Sequence, residues 1–114
     1  MMGVPFRVDG QGRVLVSWMS RNKAYWSISE PGATRFGPRS STPDAGSEAE
    51  AYPLVLVHPR DEILLVWVQK KQVHWARYGL DGKFTGTQGQ AGTLSSGGKP
   101  AGFVDTDGNF TIVF

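Results

Sequence analysis

The apolar positions of this chain fall in runs of four to six, each bounded by Gly, Pro, Asp or Asn, and one arrangement of runs is written three times. "RVLVSW" (Arg13 to Trp18) returns as "EILLVW" (Glu62 to Trp67) and as "NFTIVF" (Asn109 to Phe114). In each copy a second apolar run precedes it across a polar reversal. "PFRVDGQGRVLVSW" from Pro5, "PLVLVHPRDEILLVW" from Pro53 and "PAGFVDTDGNFTIVF" from Pro100 align along their length, the later two with one residue more, assigned to the turn. The reversals "DGQG", "HPRDE" and "DTDGN" carry Asp, Asn and Gly, which tolerate the positive φ of a tight turn, so each unit predicts a β-hairpin.

The repeat extends past the hairpins. Trp18 and Trp67 are 49 residues apart, and so are Trp26 and Trp75. "KAYWSIS" (Lys23 to Ser29) thus matches "QVHWARY" (Gln72 to Tyr78) as a third strand, and a weaker fourth is expected near "RFGPRSS" and "GTQGQAG". The pattern predicts ten strands grouped four, four and two, the groups beginning near Val4, Tyr52 and Ala101, and no stretch of helical period. The repeats span about 4–51, 52–99 and 100–114 within a single domain, 1–114. Four short antiparallel strands in a repeat of this length is the pattern of a β-propeller blade, whose second strand is apolar on both faces because it lies between neighbours. A β-sandwich built from a duplicated unit gives the same strands and turns. The fold class expected is all-β, with propeller blades forming an incomplete ring in one chain that oligomerisation completes.

Composition narrows the partners. Twelve Lys and Arg against ten Asp and Glu leave a net charge of +2, scattered along the chain, whereas nucleic-acid binding needs a denser basic face. The absence of Cys removes disulfides and thiolate metal sites. No apolar run reaches the ~18 residues of a spanning helix, and the N-terminus lacks a signal-peptide pattern, so the expectation is a soluble, cytoplasmic protein without a membrane partner.

The turn after the third strand carries a resemblance. "SISEPGATRFGP" (Ser27 to Pro38) resembles the Asp-box of the sialidase-like BNR repeats, with Glu30 at the Asp position, Gly32 matching and Phe36 one residue late; "ARYGLDGKFTG" (Ala76 to Gly86) keeps Asp81, Gly82 and Phe84 but lacks the Ser. The resemblance implies a partial propeller of about two and a half blades. It also implies that these six residues are structural: a carboxylate bonding its own backbone, a Gly reversing the chain and an aromatic filling the gap between sheets. Sialidases of this family use an arginine triad, an Arg-Ile-Pro strand, an acid-base Asp and a Tyr–Glu pair. Here Arg7 stands on a first strand without the Ile-Pro continuation, and "EAYP" places Glu50 and Tyr52 two apart, on one face if the segment is extended. These three are the catalytic candidates.

Tyr25, Trp26, Trp75 and Arg77 are the candidate ligand-binding residues, because aromatic faces and an adjacent guanidinium suit a sugar ring. His58 and His74 lack the clustered carboxylates a metal site needs, and Asp105 and Asp107 read as a hairpin turn, so neither metal nor cofactor is expected. Three functions follow: a non-catalytic sialidase-like module binding glycan or protein, a C-terminal fragment of an exo-α-sialidase, or a structural assembly unit without ligand. The expected partner is a second copy, a dimer as first guess, joined through residues 109–114 with Phe110, Ile112 and Phe114 buried between chains.

Overall fold

Where a polar turn separates two apolar runs, the chain doubles back as an antiparallel hairpin, and each of the three repeats opens on one. The computed structural model describes residues 6–32, 35–43, 48–95 and 98–114. Its strands are β1 (Phe6–Val8), β2 (Val14–Ser20), β3 (Lys23–Ile28), β4 (Ser40–Ser41), β5 (Glu50–Val57), β6 (Ile63–Gln69), β7 (Gln72–Tyr78), β8 (Phe84–Thr93), β9 (Ala101–Val104) and β10 (Phe110–Val113). They form two four-stranded antiparallel sheets, β1-β2-β3-β4 and β5-β6-β7-β8, and a two-stranded sheet of β9 and β10. Among the described residues the chain is all-β, and the ten strands are grouped four, four and two. The expected start at Val4 lies outside the described residues. Among the described residues no helix is long and apolar enough to cross a membrane.

The sheets stack in chain order. Leu15, Ala24 and Trp26 of the first sheet interleave with Val55, Ile63, Leu65, Trp67, Ala76 and Tyr78 of the second. On the second sheet's other face, Leu56, Leu64, Val66, Val68 and Val73 form a separate core that takes Phe110 and Ile112 of the hairpin. The whole of β6 is therefore buried, while β2 and β10 each keep one face partly open. Apolar burial on both faces of a strand is what a middle layer demands. Gly102 lets β9 approach β5: a Cβ there would sit 2.9 Å from Leu56 Cδ1 and 3.0 Å from the Thr111 carbonyl oxygen.

The hairpin turns correct the sequence alignment. In all three the first residue's amide donates to the carbonyl four residues on, Asp9 to Arg13, His58 to Glu62 and Asp105 to Asn109, and the fourth residue's amide closes back onto the first. That fourth residue is left-handed in each: Gly12 at φ 78°, Asp61 at 66° and Gly108 at 81°. All three are the three-residue loop ending in a bulge. The turns have one length, so the additional residue of the later copies lies in the strand before the turn.

Candidate functional site

A cleft of about 690 Å³ opens where the first strands of the three sheets converge, walled by Arg7 and Val8 of β1, Leu56 and Val57 of β5, and Phe103 and Val104 of β9. These pairs occupy equivalent places in the three repeats. Arg7 reaches across the cleft, its Nη2 donating to the Gly102 carbonyl at 2.8 Å. The rim is made by the hairpin turns, Asp9 to Arg13 and His58 to Asp61.

The turns are tied to one another by side chains. Asp9 Oδ1 accepts the backbone amides of Gln11 and Arg13, each at 2.9 Å, and its Oδ2 accepts from Arg13 Nε. The same guanidinium donates from Nη2 to Asp61 Oδ1 at 2.8 Å, joining the first turn to the second. His58 Nδ1 accepts the Arg60 amide, which places the ring proton on Nε2, and that N–H donates to the Gly108 carbonyl at 2.7 Å, joining the second turn to the third. Burial opposes ionisation of Asp9, but the Arg13 and Gln11 amides and the Arg13 guanidinium outweigh it and hold the carboxyl below its ordinary 3.8. The hydrogen bonds to Asp61 and Asp9 in turn push the Arg13 guanidinium up.

A carboxyl whose folded pKa is depressed contributes stability that is present above its unfolded pKa, about 3.9, and lost as pH falls through the folded value. Asp9→Asn should therefore be less stable than the wild type at pH 7, with the difference shrinking below about pH 4. Urea midpoints of the two proteins at pH 7 and pH 3 check this; an equal gap at both would show the carboxylate contributes nothing through its charge.

The catalytic candidates are not assembled as one site. A register shift between Ala51 and Leu54 puts a bulge at Tyr52 and Pro53, and Tyr52 takes φ 51°, so the alternation that would set Glu50 and Tyr52 on one face is broken. Tyr52 is exposed, whereas Glu50 is buried. The Glu50 carboxylate accepts the Ala24 amide and the Thr42 hydroxyl, each at 2.7 Å, with Lys23 Nζ at 3.5 Å. Burial, and then the nearby Glu50 charge, push the Tyr78 phenol up; its hydroxyl donates to the Ser41 carbonyl at 2.6 Å.

Of the ligand candidates, Trp26 is 1 % exposed in the first core, its ring edge-on to Tyr78 at 5.4 Å, and offers no surface to a sugar. Tyr25 is half-buried, stacked on Trp18 at 5.9 Å with the Arg39 guanidinium 4.4 Å above its ring. Trp75 is half-buried over Gly89, and Arg77 sits 5.9 Å from its ring centroid while pairing with Glu62 at 3.9 Å. These two surfaces lie on different sheets. In the turns after the third strands, Asp81 Oδ1 accepts the Lys83 amide, Gly82 adopts φ 83°, and Gly32 adopts φ 90° with its amide on the Gly12 carbonyl. Glu30 is exposed and contributes its backbone amide, donated to the Arg35 carbonyl. Phe36 and Phe84 remain partly outside, Phe84 reaching Tyr78 at 5.9 Å.

No family model, curated protein or solved structure matches this chain. The likeness to sialidase-like repeats therefore rests on the residues quoted from the sequence. Sequence reading missed Asp9, Arg13 and Asp61 as a linked group. The available signal was a carboxylate or His at the first position of each hairpin turn, with a guanidinium four residues after the first of them.

Proposed function

We propose that this chain is a non-catalytic module of the sialidase-like propeller type, in which each four-stranded sheet is one blade and the final hairpin the inner half of a third. It binds a glycan in the cleft where β1, β5 and β9 converge. The observation that carries this reading is that cleft: its volume of about 690 Å³ is within the range of ligand pockets, and its lining combines the polar residues Arg7 and Gln11 with Phe103, while the Asp9–Arg13–Asp61 link holds the rim in place. Stacking of the three sheets in chain order supports the propeller architecture. The non-catalytic reading is supported by Glu50, whose carboxylate is already bonded to Ala24, Thr42 and Lys23, and by the bulge that displaces Tyr52.

A glycan array is the test. Retention of a glycan by the wild type, lost in Gln11→Trp, is the expected result, since Gln11 is an exposed turn residue and a bulky ring there fills the cleft without disturbing the core. A blank array returns the chain to the structural-unit reading, and binding undiminished in Gln11→Trp moves the ligand elsewhere. Turnover of a fluorogenic sialoside that disappears in Tyr52→Phe would overturn the non-catalytic reading in favour of a sialidase fragment.

The partner we propose is a second copy joined through residues 109–114. The side chains that make the contact are not those expected from the sequence. Phe110 and Ile112 pack inward on the second sheet, because the hairpin register places them on the same face as Val104 and Gly102, and the Phe114 ring lies against Gly92 of β8, so the contact falls to the opposite face, Thr111 and Val113.

A further inference from the structure

Building on that propeller reading, we infer that two copies of this chain stack head to tail, the outer face of the β9–β10 hairpin of one copy lying on the outer face of the first sheet of the other. Two apolar surfaces stand open at opposite ends of the stack. At one end the register sets Phe6, Val8, Val14, Val16 and Trp18 on a single face of the first sheet, with Phe6 66 % and Val8 61 % exposed. At the other, Ala101 and Phe103 of β9 share a face with Thr111 and Val113 of β10, with Phe103 48 % and Val113 55 % exposed. Patches of this kind on a water-soluble surface mark sites of association.

The chain itself shows what covers each. Displaced by the 49-residue repeat, the open face of the first sheet corresponds to Val55, Val57, Ile63, Leu65 and Trp67, which are the residues of the second sheet packed against the first. Even the aromatic detail is kept: Trp18 stacks on Tyr25 at 5.9 Å and 24°, and Trp67 on His74 at 5.5 Å and 14°. Trp67 is sealed by the sheet before it, whereas Trp18 is only half-buried. Displaced by 47 residues, the open face of the hairpin corresponds to Leu54, Leu56, Leu64 and Val66, the face of the second sheet on which the hairpin lies. One pair of complementary faces is thus joined twice inside the chain, and one member of that pair is left over at each end.

The contact is heterologous, so it either closes into a ring or grows into a filament. Each chain supplies three layers. Two chains provide six layers, four of them four-stranded and two of them two-stranded hairpins, and rings of about four to eight blades close. Val8 and Phe103 wall the same cleft, so the head-to-tail contact brings the second copy's strands to its edge.

Light scattering combined with complementation tests the inference. The 12.4 kDa chain should run as a dimer at micromolar concentration, and Val8→Arg and Val113→Arg, each at an exposed position, should both be folded monomers. Mixing the two variants should restore association, because the intact hairpin of the first meets the intact sheet of the second; a symmetric interface of like faces would not be rescued. A wild-type monomer, or a dimer indifferent to both substitutions, overturns the inference. Polydisperse growth supports the head-to-tail contact and overturns the six-layer closure. Glycan retention on the array is read separately, so loss of the ligand reading leaves this outcome intact.

Discussion

Trp67→Ala should lower the unfolding free energy by about 3–5 kcal/mol, the usual result of removing a fully buried indole from a packed core. Trp67 is 1 % exposed, on the middle strand of the middle sheet, and it packs on His74 as well as on the residues of the first sheet. Against a total stability of about 5–15 kcal/mol for a domain, a loss of that size leaves a substantial unfolded fraction at room temperature or slightly above. Trp67→Phe should cost far less. The indole N–H of Trp67 is buried without a hydrogen-bond partner among the described residues, and so is that of Trp26. An unsatisfied buried donor costs about 1–3 kcal/mol, which the Phe variant recovers against its smaller ring. Urea denaturation of the three proteins is the measurement. If Phe proved as damaging as Ala, ring volume alone would govern the site and the orphaned N–H would be energetically silent.

The strand plan was legible because the chain repeats itself. A single apolar run such as "ILLVW" is ambiguous between strand and helix, but three copies behind the same polar turn leave only the hairpin. The fourth strands were legible in place and not in extent. Ser40–Ser41 is cut short beside Gly37 and Pro38, whereas Phe84–Thr93 runs ten residues with Gly at its irregularities. The bulge at Tyr52 and Pro53 was invisible to a period-2 reading. Pro53 has no amide to donate to β6, and the chain takes up one extra residue there, which separates Tyr52 from the face it was expected to share with Glu50.

Repeat position also misled where burial depends on layer and not on sequence. Trp26 and Trp75 are equivalent in the repeat, yet Trp26 faces a complete four-stranded sheet and is sealed, while Trp75 faces a two-stranded hairpin and stays half-open. The link from Asp9 through Arg13 to Asp61 could not be read from spacing. It joins residues 48 apart, Arg13 and Asp61, and exists only because stacking brings the hairpins side by side. The same stacking explains why Asp61 occupies a left-handed position that Gly fills in the other two turns: its carboxylate has a partner in Arg13, which offsets the steric cost of φ 66°.

Glu50→Ala should destabilise the protein by about 3 kcal/mol, the lower end of what breaking a buried ion pair costs, since Lys23 on the other side retains some exposure and can regain water. The carboxylate binds the first sheet to the second: Oε1 accepts the Ala24 amide of β3 and Oε2 the Thr42 hydroxyl, while its own backbone amide donates to the Asn22 carbonyl in the β2–β3 turn. Without it the Ala24 amide, in a residue with no solvent exposure, loses its acceptor. Glu50→Gln keeps one carbonyl oxygen for that amide and should cost about half as much, because what it removes is the charge opposite Lys23 and one acceptor toward Thr42. The ordering wild type, Gln, Ala in urea midpoint distinguishes this structural role from catalysis, in which Gln would abolish turnover and leave the midpoint in place. A double-mutant cycle with Lys23→Ala should return a coupling energy of about 0.5–3 kcal/mol, the range for contacting residues. An Ala variant whose midpoint stays at that of the wild type would mean the two sheets are held together by apolar packing alone.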